Sequence, residues 1–419
     1  MNYYRFPEKK TVTVLFFLYL MVLQMLSRST MYTSSFIGTM PAQIAVVGLV
    51  ALAGVIFLIF NRKKLKGILT DRRMIAFAAA ALLLLAPMVI KRDWQMTYFT
   101  ILLCWLFAIF LTYFTSLEEL GRLYVLLHLM LSVFSLLGIF VGKPLVNAGV
   151  LPGFRFDSPG EWHMFNFGLT FVCDKNNVMD DALRAFGIFR EPGLYQVFLF
   201  IAIHLNNDIV RWDRPWKMWA VNAVLFVSLL TTFATGGVLA LGLYIVFLFF
   251  DKGLYRSKRL RLLAVIAVVA VIGLLALVLA QGGTWAYELI GMVEKVFNRT
   301  SSYTDRVDAI VSDAKFFLSS PLYGANLVEV MFSVPNNTAT SPIFFAVFGI
   351  LAGCLHVLSW AALAWKKERH WLMNLILLVI LFIPFNTQNV MYDMFFWLFP
   401  VMALTQRCLP LPDGWKKKR

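Results

Sequence analysis

The chain has 419 residues, 60% hydrophobic and only 15% charged, and its 38 Lys and Arg outnumber its 23 Asp and Glu for a net charge of +15. Soluble domains are about 45–50% apolar and about 25% charged, so a soluble monomeric enzyme or a free transcription factor is excluded. The four cysteines (Cys104, Cys173, Cys354, Cys408) lack C-x-x-C spacing and imply neither a disulfide framework nor a zinc site.

One membrane-spanning helix takes ~20 residues across ~30 Å of hydrocarbon. Apolar runs at 12–27, 41–60, 74–90, 96–114, 123–141, 194–210, 217–232, 235–250, 262–281, 342–365, 371–386 and 391–406 therefore predict about twelve transmembrane helices. The first follows a basic stretch, Met1 to Lys10, without an A-x-A cleavage site, and reads as a retained helix. A polar turn, Thr231 to Gly237, separates the seventh and eighth runs. Two long segments remain, 142–193 and 282–341. No fixed-period repeat or Pro- or Ser-rich linker divides the chain, so residues 1–419 read as a single all-α polytopic membrane domain.

With both termini on the cytoplasmic side, 26 Lys and Arg fall in inside segments and 12 outside, only 3 of the latter in short loops. Short loops decide orientation under the positive-inside rule. The basic excess thus belongs to topology and to anionic membrane lipids, with no nucleic-acid partner implied. Both long segments lie on the outer face, where long loops between packed helices carry function. The apolar runs hold almost no ionisable residues beyond His128, His204, His356 and Asp393. Ion-coupled transporters need such groups at membrane depth, which weighs against a transporter.

The densest candidate site is Arg184-Ala185-Phe186-Gly187-Ile188-Phe189-Arg190-Glu191-Pro192-Gly193-Leu194-Tyr195, at the entry to the sixth run. Pro192 suits the first turn of a helix and Glu191 its positive end, so Glu191 alone reads as a helix start. Arg184 and Arg190 bracket that terminus, and a helix N-terminus with two guanidiniums suits a phosphate or diphosphate without a metal. The second candidate, Arg299 to Arg306, includes Tyr303 and precedes Ser319-Ser320-Pro321-Leu322-Tyr323-Gly324. Ser302 or Thr304 is expected to cap the helix carrying Arg306; the plainer reading is an amphipathic surface helix. Asp180-Asp181 lacks a third ligand and reads as solvated, so no metal is expected. His163, beside Glu161 and Trp162, is the one imidazole in an outer loop; Trp162 suits sugar stacking. Asn336 and Asn337 suit either sugar hydroxyls or a helix cap. Gly236-Gly237 reads as a close approach of the seventh and eighth helices. No P-loop, G-x-S-x-G or H-E-x-x-H motif is present.

The Arg-x5-Arg-Glu-Pro-Gly entry to the sixth span, the Thr-Gly-Gly turn and the later Arg and Pro-x-x-Gly, in order over about 180–360, resemble the O-antigen polymerase (Wzy) family. That family is related to the O-antigen ligases among the GT-C-type polyprenyl-dependent glycosyltransferases. The resemblance implies a GT-C-like bundle with two large periplasmic loops in the bacterial inner membrane. The activity implied is polymerisation of lipopolysaccharide O-antigen, capsule or exopolysaccharide repeat units carried on undecaprenyl pyrophosphate. No cofactor is implied, and the partners are lipid-linked oligosaccharide, a chain-length regulator and a flippase. Arg184, Arg190 and Arg306 would then clamp the leaving diphosphate, with Glu191 or another outer carboxylate as base. Tyr195, Arg299, Tyr303, Asn336, Asn337, Trp162 and His163 would contact substrate. The ligase relatives carry a His-Asn pair before the helix matching the tenth span. Pro335 to Ser341 has no His here, which favours polymerase over ligase. A lipid-linked sugar flippase or anion exporter is the alternative from another class.

Overall fold

A computed structural model describes residues 10–60, 71–153, 155–157, 162–176, 183–297, 301–334 and 337–409. The chain is mostly helical (76%), as expected of a helical membrane-associated protein. Every apolar run falls on a helix. Among the described residues, four helices are long and apolar enough to cross a membrane: Thr39–Ile56, Arg72–Ile90, Leu117–Asn147 and Thr340–Ala364. Shorter apolar helices include Met96–Leu111, Pro215–Leu230, Thr235–Asp251 and Trp371–Phe385.

The first long loop departs from the all-helical expectation. Its described residues include four strands, β1 (Arg155–Asp157), β2 (Trp162–Phe167), β3 (Thr170–Asn176) and β4 (Ala185–Gly187), in an antiparallel sheet of order β1-β2-β3-β4. Gly168, at φ 65°, turns β2 directly into β3. Alternation assigns the two faces. Phe165, Val172 and Ala185 join the main core, while Met164, Phe171, Cys173 and Phe186 pack with Met31 on the other side. With both faces covered, Met164-Phe165 and Phe171-Val172-Cys173 carry no polar alternation.

At the centre lies helix Pro192–Asp208, buried from Pro192 through Asn207. An all-round apolar helix is what a bundle interior requires. Its last residue, Asp208, is buried with a partner cation: Arg369 donates to both Asp208 oxygens (3.1 and 2.9 Å) and also to Asp251 (2.7 Å from Nε). Asp251 ends helix Thr235–Asp251. One guanidinium thus ties the C-terminal ends of two helices, and the Lys366 Nζ adds a bond of 2.8 Å to Asp208.

Helix Thr340–Ala364 is broken at Gly349, whose φ of 73° is left-handed. The break frees backbone groups that the Pro321–Ala325 segment takes up. The Ile350 N–H donates to the Pro321 carbonyl (2.7 Å), and the Ala325 N–H donates to that of Ala346 (2.7 Å). Irregular backbone at such a place is stable only when protein satisfies it. The two chains meet so closely that a Cβ on Gly349 would sit 2.3 Å from the Leu322 carbonyl oxygen, and one on Gly324 would sit 2.0 Å from that of Val347. Gly349→Ala should therefore combine a left-handed penalty of ~1–2 kcal/mol with a backbone clash. The expected result is lower thermal stability of the detergent-solubilised protein than for Gly48→Ala, where a Cβ meets nothing within 4 Å. Equal melting temperatures would refute this account of the break.

Candidate functional site

Two helices of 17 residues each, Pro192–Asp208 and Thr235–Asp251, begin side by side at one cleft. The cleft has a volume of about 160 Å³, and its lining includes Arg184, Glu191, Gln196, Phe233, Arg306 and Gln388. Pro192, Gly193, Thr235 and Gly236 also line it, so both helix N-termini open into the same space. Pro192 occupies the first turn and Glu191 the N-cap position, in extended conformation with no capping bond from its side chain. The carboxylate is thereby left to the cleft. Exposed backbone N–H groups and aligned dipoles make such an end attractive to anions.

Glycines permit this packing. A Cβ on Gly193 would fall 2.1 Å from Gln388 Nε2, one on Gly236 2.5 Å from Thr387 Cγ2, and one on Gly237 2.2 Å from Gln196 Oε1. The Gly236-Gly237 pair thus seats Gln196 and Thr387, joined by a 3.0 Å bond from Gln196 Nε2 to Thr387 Oγ1. The expected approach of the seventh and eighth helices is replaced by contact with these two side chains. The turn before Gly236 is held in an unusual shape: Phe233 adopts φ 48° while its ring meets Trp285 edge-on at 5.4 Å.

The three arginines stand in different circumstances. Arg184 donates from Nε (2.8 Å) and Nη2 (2.5 Å) to one oxygen of Glu288, which is 1% exposed. Glu288 belongs to helix Gly283–Phe297 of the second long segment, so this pair ties the two long segments together. Arg306, on helix Ser301–Ser319, makes no salt bridge among the described residues and lines the same cleft as Glu191. Burial pulls its guanidinium below the ordinary value, while the Glu191 carboxylate pulls it back up. Arg190 does not line the cleft; it is exposed, its Nε 3.8 Å from Glu191 Oε1.

The remaining residues read from the sequence scatter. Tyr195 is fully buried, its hydroxyl 3.3 Å from Ser132 Oγ and 3.1 Å from Ser228 Oγ, and lies outside the cleft lining. Asn337 is buried and spends its amide on Asp313 Oδ1 (2.8 Å) and the Val330 carbonyl (3.3 Å). The N-cap of the following helix is Ala339, so Asn337 does not cap it. His163 sits on β2 opposite Asp157 and Lys175, away from the cleft lining. Ser302 and Thr304 fall inside helix Ser301–Ser319 rather than ahead of it, which corrects the expected cap. Arg299, Asn336, Glu161, Asp180 and Asp181, and the side chains of Trp162 and Tyr303, lie outside the described residues. Sequence reading missed Glu288, Gln196 and Gln388; only the rarity of acids and amides beside apolar runs marks them.

No protein-family model, curated protein or solved structure matches the chain.

Asp313 offers a test of how the Arg306 helix is seated. Burial pushes its carboxyl up to about 7, with the Asn337 bond acting the other way. An acid whose folded value lies above its unfolded value of ~4 holds its proton longer in the native state, so stability falls as pH rises between ~4 and 7 and then levels. Asp313→Asn should flatten that part of the melting-temperature profile against wild type. Parallel profiles would remove Asp313 as the cause.

Proposed function

We propose that this chain is a polysaccharide repeat-unit polymerase of the bacterial inner membrane, moving a growing glycan from undecaprenyl pyrophosphate onto the next lipid-linked repeat unit. In this reading the protein has about twelve spans in a GT-C-like bundle, cytoplasmic termini and a periplasmic cleft. One observation carries it: Arg184 and Glu191 from one candidate segment and Arg306 from the other line one cleft where two helices begin.

The chemistry follows from the leaving group. An acceptor sugar hydroxyl attacks the anomeric carbon of the growing chain; the new C–O bond forms as the bond to the diphosphate breaks. Negative charge develops on the diphosphate, and preorganised donors placed there are the largest source of rate acceleration. Arg306 and the two helix N-termini supply them. Glu191, in the same cleft, accepts the hydroxyl proton. Arg184, already engaged by Glu288, holds the outer segments in register and adds charge at the wall. Arg190 serves at the approach to the cleft rather than within it.

Arg306→Ala should remain in the membrane yet lose ~10²–10³-fold in polymerisation by purified protein supplied with lipid-linked repeat units. Cells carrying it should display surface glycan of a single repeat. Normal ladders would reject the site. A ligase is distinguished by deletion, which leaves long polyprenyl-linked chains. A flippase moves substrate across sealed vesicles without forming a glycosidic bond.

A further inference from the structure

Helix Gly283–Phe297 has two unlike faces. On one, Ala286 and Glu288 are buried, and Glu288 accepts both bonds from Arg184 at the cleft wall. Beside them the Trp285 ring stacks on Phe140, with centroids 5.9 Å apart, and meets Phe233 edge-on. On the other face Tyr287, Ile290 and Val293 are 49%, 46% and 55% exposed. Residues three apart are neighbours on a helix surface, so these side chains form one stripe. The stripe is apolar and carries no charge.

The neighbours of the helix indicate what covers that stripe. Phe140 belongs to Leu117–Asn147, one of the helices long and apolar enough to cross a membrane, and is itself 53% exposed near the Asn147 end. The Trp285 stack therefore sets Gly283–Phe297 level with the end of a membrane-crossing helix. The preceding helix, Lys258–Gln281, has 24 residues, or ~36 Å at 1.5 Å per residue against ~30 Å of hydrocarbon. Leu262, Val265, Val269 and Ile272 are exposed along it. Gly282 and Gly283, at φ 69° and 79°, then turn the chain, so the second helix starts where the apolar one ends. With 15 residues that include Glu288, Glu294 and Lys295, the second helix is too short and too polar to cross hydrocarbon again. A helix with one polar, one apolar face at such a boundary lies in the plane of the interface.

We propose that helix Gly283–Phe297 is seated in the headgroup layer of a phospholipid bilayer, with Tyr287, Ile290 and Val293 against the upper acyl chains and Glu288 turned inward to Arg184. The bilayer surface is thus a binding partner of the second long segment. Through the Glu288–Arg184 pair it fixes the height of one cleft wall above the lipid, whatever reaction the cleft carries out. An uncharged stripe makes the seat one of apolar burial rather than of attraction to anionic headgroups.

The test is the depth of spin labels in full-length protein, held as single copies in phosphatidylcholine nanodiscs. The exposed Cys354 and Cys408 are first replaced by Ser. Nitroxides are then placed singly through Tyr287→Cys, Ile290→Cys and Val293→Cys, with Val269→Cys, midway along helix Lys258–Gln281, as the reference for the bilayer interior. Oxygen partitions into lipid and a nickel chelate into water, so their collision rates with each label report its surroundings. At positions 287, 290 and 293 oxygen collisions should exceed nickel collisions severalfold, yet by less than at 269. Nickel collisions that dominate would place the stripe in water and overturn the proposal. Suppression of both would mean that protein covers it, and an oxygen bias equal to that at 269 would sink the helix into hydrocarbon; either result overturns the interfacial seat as well.

Discussion

Arg369, seated between Asp208 and Asp251, is the interaction on which the cleft depends. Both carboxylates end helices, where the dipole disfavours negative charge. Both are largely buried, and a buried carboxylate is costly without a paired cation. Arg369 gives a planar fork to the two at once, and its third direction reaches the Ala364 carbonyl at 3.1 Å. The two helices are therefore pinned level at their C-terminal ends. Each has 17 residues, or ~25 Å at 1.5 Å per residue. Equal lengths pinned level at one end bring Pro192 and Thr235 level at the other. The cleft arises from that geometry before any arginine is placed in it.

Charge within the cleft is balanced rather than uniformly positive. Arg184 is matched by Glu288, and Arg306 interacts with Glu191. An anion entering this space competes with Glu191 for Arg306, and it gains the unpaired N–H groups of two helix starts that no carboxylate in the cleft caps. Gly193, Gly236 and Gly237 matter for the same reason. Side chains there would push Gln196, Thr387 and Gln388 off the helix starts and into the space where an anion would sit.

Much of the scaffold was legible because hydrophobic runs report helices directly. The run read at 235–250 is helix Thr235–Asp251, and that read at 194–210 is helix Pro192–Asp208. Pro192 marked the start of the central helix and hence the cleft. Pairings over long separations were not legible. Glu288 lies 104 residues from Arg184, and nothing local ties the two. The sheet escaped because Met164, Phe165, Phe171, Val172 and Cys173 are apolar on both faces, which erases the period-two signal. Tyr195 and Asn337 misled for a common reason. Polar side chains near a site also serve as internal hydrogen-bonders, and a sequence does not separate the two uses.

The Pro-x-x-Gly segment acquires a mechanical meaning from the break at Gly349. Helix Ser301–Ser319 ends against helix Thr340–Ala364, with the Phe317 and Phe345 rings 5.9 Å apart and the Pro321–Ala325 backbone locked into the broken turn. One turn and a half earlier, Asp313 is held by Asn337. The C-terminal half of this helix is thus fixed from two sides. Arg306 lies in the other half, two turns before Asp313 on the same face, without a salt bridge among the described residues. Arg184 is fixed by a buried carboxylate, whereas Arg306 is anchored only through its helix. In the proposed reaction the adjustment on binding a diphosphate would therefore fall on Arg306, which would trade its interaction with the Glu191 carboxylate for phosphate oxygens. The same exchange would leave Glu191 available to the incoming hydroxyl.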